Sequence, residues 1–231
     1  MHMNYGEYEI PLLIGKRRDE GNTLHIDVDR YAGVAFFIDG EHGKIVTCKH
    51  IVEMVQEGEV LLGKNLISGE VDVIYNIKTH PLYDFATASF IKHHSYKTFP
   101  LLDREYNPGH DVRAFGFTNI GREGSNVRVN ARMLKGYIVS HADESGHPQA
   151  RTTNELSFPS LKGFSGSPLV SEENGALVGM LFSNHESSIE VHSFMDVEDN
   201  GEQFKESIYR IIELGLAHSA KDLIQFIEDL S

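Results

Sequence analysis

Residues 163–181 read GFSGSPLVSEENGALVGML. Ser165 stands between Gly163-Phe164 and Gly166, with Pro168 just behind, and two apolar runs then flank Asn174-Gly175. The second half is a hairpin signature, because Asn-Gly between apolar runs supplies the backbone a tight turn needs. The first half is ambiguous by itself. Gly, Ser and Pro also punctuate ordinary turns, so Ser165 is either a turn residue or a nucleophile. A serine hydroxyl is a poor nucleophile at neutral pH and needs a neighbouring base, usually histidine, which a third group must orient.

Outward from this stretch, short β-rich runs recur with turn signals between them: AGVAFFIDG, KIVTCKH, EVLLG, VDVIYNI and DFATASFI, then DVRAFGF, NVRVNARM, KGYIVS and IEVHSF. No helices alternate with them, so they predict an all-β barrel or sandwich and not a βαβ sheet. HIVEMVQEG is the one helix-like piece in this part. YKTFPLLDREYNPGH reads as a hinge between two β halves, and GKRRD as an exposed turn. After about residue 200 the texture changes: Phe204, Ile208, Ile211, Ile212 and Leu214 fall at helical spacing. Ser219 with Asp222 three residues on is a capping pattern. Two short amphipathic helices are therefore expected at the end.

The bulk numbers exclude several classes. A chain of 231 residues with 40% hydrophobic and 24% charged residues is globular in composition. Its apolar runs are too short to span a bilayer, so no membrane role is expected. The start lacks a signal peptide's pattern, and Cys48, the single cysteine, permits no internal disulfide. The expectation is a cytoplasmic protein. A net charge of −13 argues against a nucleic-acid partner, since that affinity rests on Lys and Arg. The thirteen histidines show no recognised metal-ligand spacing. His93, His94, His141, His147, His185 and His192 read as surface or loop residues, so neither metal nor cofactor is expected. Cys48 reads as buried packing.

The chemistry depends on order. KIVTCKHIVE puts His50 at the end of an apolar strand, and HPLYDFATASF puts Asp84 before a buried-looking one. The order His50, Asp84, Ser165 is that of chymotrypsin-like peptidases; subtilisins run Asp-His-Ser and α/β-hydrolases Ser-Asp-His. The segments GVAFFIDGEHGKIVTCKHIVE, HPLYDFATASF, DVRAFGFTNIG and GFSGSPLVSEENGALVGML resemble, in order, those of trypsin-like serine peptidases. The resemblance is closest to disulfide-free, HtrA-like or intracellular members.

That resemblance implies a chymotrypsin-like double β-barrel, to which the helical spacing outside the resemblance adds a short C-terminal helical tail. Residues 1–100 would form the barrel carrying His50 and Asp84, 101–198 the barrel carrying Ser165, and 199–231 a helical extension. It implies a serine endopeptidase working through an acyl-enzyme, with His50 as base, Asp84 as its orienter and Ser165 as nucleophile. The N–H groups of Gly163 and Ser165 would form the oxyanion hole, and Phe182, Ser183 and Asn184 would meet the peptide substrate. Phe164 replaces the aspartate that secreted digestive members use to bind a freed N-terminus, so activation by N-terminal cleavage is not expected. No acidic residue occurs in PSLKGF, so a preference for Arg or Lys is not expected either. Ser167 stands where many members have glycine. Lys162 raises the question of whether the loop rests in an active shape. The alternative is a catalytically silent or partner-activated peptide-binding module on the same fold. The terminal helices are read as packing on the second barrel, with docking of a regulatory protein as the sharper alternative.

Overall fold

A computed structural model of the chain describes residues 4–20, 23–91, 96–123, 126–142, 151–197 and 203–230; His93, His94 and His147 lie outside them. Seven strands form the first sheet: β1 (Glu9–Glu20), β2 (Thr23–Asp39), β3 (Lys44–Thr47), β4 (Glu59–Lys64), β5 (Val71–Val73), β6 (Tyr75–Thr79) and β7 (Ala86–Ser89). Their order is β5-β4-β1-β2-β3-β7-β6. Only Ile74 separates β5 from β6, and its N–H still bonds the Leu61 carbonyl at 2.9 Å. The two ends of the sheet are therefore one bent stretch of chain, and the sheet curls on itself. Its interior packs Ile10, Leu12, Ile14, Phe36, Ile45 and Phe90.

The second sheet is a closed six-stranded barrel. It comprises β8 (Asp111–Glu123), β9 (Asn126–Ala142), β10 (Thr153–Leu156), β11 (Pro168–Ser171), β12 (Leu177–Val197) and β13 (Gln203–Ser219). Its core holds Val112, Ile138, Leu156, Leu169 and Leu181. A third cluster, with Leu13, Tyr31 and Val34 of the first sheet and Phe117 of the second, joins the two. The linker crosses back onto β12, where the Leu177 N–H bonds the Pro100 carbonyl at 2.8 Å. The Asn174-Gly175 hairpin is present: Gly175 has φ +71°, and the Asn174 side chain accepts the Ala176 N–H at 2.9 Å. No described helix is long and apolar enough to cross a membrane.

Two local expectations are corrected. Residues 203–219, expected as the first terminal helix, form β13 instead, paired with β12 from Gly179↔Ser219 to Val197↔Gln203. The helical spacing there is coincidental. Beyond the barrel the two strands form a ribbon with no buried face, and Ile208 and Ile211 stay 54% and 62% exposed. Nothing then enforces the alternation that marks a half-buried strand, while β-branched isoleucine favours extended chain. The second expected helix is real: α2 (Ala220–Asp229) begins where the Ser219 hydroxyl accepts the Asp222 N–H at 3.1 Å. GKRRD is strand, not turn. It lies in β1, where Arg18 pairs with Asp27 across the hairpin at 2.5 Å.

Glu9 is fully buried in β1, and neither carboxylate oxygen has a hydrogen-bond partner among the described residues. Burial pushes its carboxyl well above the usual range. The folded chain therefore holds this proton more tightly than the unfolded one, and stability falls as pH rises above the unfolded value near about 4.3. Glu9→Met should remove that loss. Thermal melts across pH should show the variant gaining on wild type from about pH 5 upward, by at most about 1.4 kcal/mol per pH unit.

Candidate active site

The short helix α1 (Lys49–Glu53) follows β3 directly, with Cys48 at its N-cap making no side-chain cap bond. The first N–H groups of a helix have no partner within it, and here Asp84 reaches across to satisfy one. Its Oδ1 accepts the His50 backbone N–H at 2.8 Å, and its Oδ2 meets His50 Nδ1 at 2.6 Å. An ionised carboxylate can only accept, so Nδ1 carries the proton and Nε2 is left as the acceptor. The Asp84 side chain is 5% exposed against 40% for His50. Burial is the largest influence on the Asp84 carboxyl and would raise it. The side-chain bond, charge and backbone N–H of His50, with the charge of His218, outweigh burial and hold it below the ordinary carboxylate range.

The Asp84 segment is itself braced from the C-terminus. His218, at the end of β13, donates its Nε2–H to the Asp84 carbonyl at 3.0 Å. Phe226 of α2 is fully buried and lies 4.8–5.8 Å, centroid to centroid, from the rings of His80, Tyr83, Phe85 and His218. His80 accepts the Leu82 and Tyr83 N–H groups on Nδ1. Neither His218 nor Phe226 is legible as a site residue, because each reaches the Asp84 segment only through contacts distant in sequence, 134 residues for His218.

Ser165 sits on the loop before β11, and its carbonyl accepts the Val34 N–H of the other sheet at 2.9 Å. Around it the Phe164 N–H bonds the Leu161 carbonyl at 2.8 Å, and Gly163 has φ +100°. A four-residue turn with positive φ only at its third residue is type II. The Lys162–Gly163 peptide is thus flipped relative to a type I turn. Among the described residues, neither the Gly163 nor the Ser165 N–H donates a hydrogen bond. Tyr31 Oη donates to the Gly163 carbonyl at 2.7 Å, and burial, then the charge of Glu9, raises that hydroxyl so that it stays a donor. Phe164 is fully buried, as is Ser167, whose hydroxyl has no partner among the described residues.

His50, Gly163 and Ser165 border one cleft of about 870 Å³ between the sheets. No hydrogen bond joins the Ser165 hydroxyl to His50 among the described residues; such bonds often tighten only around a bound substrate. The third expected group is placed differently. Phe182 is 3% exposed and stacks on His218 at 4.3 Å, inside the core. The Asn184 side chain is committed to the Ser160 backbone at 2.6 and 2.9 Å. None of Phe182, Ser183 and Asn184 lines the cleft.

Cys48, His50 and Asp84 bring ligand-type atoms within 4.8 Å of one another. Their atoms are already engaged: the buried Cys48 thiol donates to the Leu181 carbonyl at 3.3 Å, and Asp84 serves His50. His141 and His185 are exposed and hydrogen-bonded to Asn154 and Glu155.

Gly166 has φ +84°, and a Cβ placed there would lie 2.0 Å from the Val34 carbonyl oxygen. That contact is with backbone and cannot move aside. Gly166→Ala should cost about 2–5 kcal/mol, combining left-handed strain with overpacking, read as a fall in urea midpoint.

The model of the trypsin-like peptidase domain matches residues 33–180. No curated protein matches the chain. Among solved structures, the HtrA-type protease AlgW with decapeptide superposes with a TM-score of 0.64 at 14% identity, over 97% of this chain and 64% of that one. AlgW with tripeptide gives 0.61 at 15% identity, over 97% and 60%. The chain therefore spans a little over three fifths of the length of these neighbours, and shares their double-barrel fold. With its match covering well over half of the sequence, the chain belongs to the trypsin-like peptidase domain family.

Proposed function

We propose that the chain is a serine endopeptidase in which Ser165 attacks the scissile carbonyl and His50 Nε2 takes its proton. His50 then returns that proton to the leaving amine, and water hydrolyses the acyl-enzyme. Asp84 holds the imidazole in the tautomer this requires and stabilises its charged form. The developing oxyanion would meet the Gly163 and Ser165 N–H groups, fixed in place before the reaction and so able to stabilise it without reorganisation.

The observation carrying this reading is the His50–Asp84 pair, bonded twice at 2.6 and 2.8 Å, in one cleft with a serine whose turn leaves two N–H groups unspent. The silent-module alternative draws on the missing Ser165–His50 bond. The type II turn speaks against it, since a type I turn would put φ of Gly163 negative. AlgW has been captured with a tripeptide and a decapeptide, which makes a peptide the first class of substrate to try. The test is mass-spectrometric detection of fragments from a mixed peptide library. Wild type should produce cuts that Ser165→Ala does not. Identical fragment patterns from both chains would refute the reading.

A further inference from the structure

The protein carries a net charge of −13, yet the charge at the cleft has the opposite sign. Among the described residues lining it, none is aspartate or glutamate; apart from His50, its ionisable side chains of charged type are Lys162 and Arg132. Lys162 is the second residue of the type II turn, and Arg132 lies on β9, opposite Gly116 of β8. Both are exposed. Neither takes part in an ion pair or side-chain hydrogen bond among the described residues, whereas nearby Arg30 is held by Glu59 at 2.7 Å and Lys135 by Glu172 at 2.8 Å. The same cleft is lined by Tyr31, Leu161 and the exposed Met54 and Met133, beside polar Thr118 and Asn119. Methionine adapts to varied apolar side chains.

From this we infer that the site selects peptides carrying Asp or Glu beside the apolar residue at the cleft, with Lys162 and Arg132 as its specificity-determining residues. The overall acidity does not override this. At physiological salt, fields are screened beyond about 8 Å, so a bound carboxylate senses the two cations beside it more than the distant surface. Cations without a partner among the described residues are also ready to engage.

The inference rests on the peptide-site reading above but not on catalysis, so it is tested with Ser165→Ala. Three pools of end-blocked peptides, identical except for Asp, Asn or Lys at the varied positions, are passed over the immobilised chain. The Asp pool should be retained about tenfold more than the Lys pool at low salt, with the gap closing in roughly half-molar salt. Lys162→Glu with Arg132→Glu should invert the order; both side chains are exposed, and melting curves check that the variant folds. Equal retention, a Lys preference, no retention of any pool, or an Asp preference that survives the double variant would each overturn the inference. Wild type incubated with the same pools separates the two claims. Asp-selective retention without cleavage removes the peptidase and keeps the specificity; cleavage without charge selection does the reverse.

Discussion

Ser165→Ala is expected to lower kcat by about 10⁶, His50→Ala by a similar factor, and the double variant by little more than either. The near-equality is the informative part. If serine and histidine act as one unit, removing the second does nothing once the first is gone. Two independent roles would instead multiply. Asp84→Asn should cost about 10⁴, because an amide cannot hold the Nδ1–H tautomer and the imidazole presents the wrong nitrogen to the serine. Stability should change little, because the amide oxygen can still accept the His50 N–H of α1. Steady-state kinetics beside urea titration separates chemistry from support: Ser165→Ala and Asp84→Asn lose activity alone, whereas Asp84→Ala, which leaves that N–H without its acceptor, loses both.

Phe226→Ala should be the most damaging change far from the cleft. The ring is fully buried among four aromatic or imidazole neighbours, so truncation should cost about 3–5 kcal/mol. Its function-specific effect is on the Asp84 segment, which Phe226 holds from one side while His218 bonds the Asp84 carbonyl. A displacement of about an ångström at a positioning group can cost about 10²-fold in rate. kcat should fall by about that factor in the fraction that remains folded, with KM little changed, because Phe226 touches no part of the cleft. Phe226→Leu should recover most of the stability and part of kcat. Equal losses in kcat and stability-corrected binding would mean that the helix supports the fold generally and not Asp84 in particular.

These two sets of residues differ in how far the amino-acid order exposes them. The proposed triad of His50, Asp84 and Ser165 could be read as candidates because such chemistry demands particular side chains in short contexts: a histidine at a strand end, an aspartate before a buried strand, a serine between glycines. Most strands are visible because burial of one face imprints a pattern on them. Where that pressure lapses, the pattern lapses too. The ribbon of β12 and β13 exposes Ile189, Val191, Ile208 and Ile211, so its periodicity carries no structural message, and 203–219 reads as helix by chance. The Ser219 cap, in contrast, is local chemistry and is found where expected. Tyr31, His218 and Phe226 act only through long-range contact, with Tyr31 and Gly163 separated by 132 residues. Phe182 illustrates the reverse error: its place in the strand is as the resemblance implies, but stacking on His218 turns its ring into the core.

The most direct test is fluorophosphonate labelling of the purified, folded chain beside Ser165→Ala and His50→Ala. The reagent reacts only with a serine whose base and oxyanion donors are in place, so it asks about activation without requiring the natural substrate. Covalent labelling of wild type, mapped to Ser165 and absent from both variants, is the predicted result. A wild type that melts cooperatively yet takes up no label, or that labels elsewhere, would contradict it.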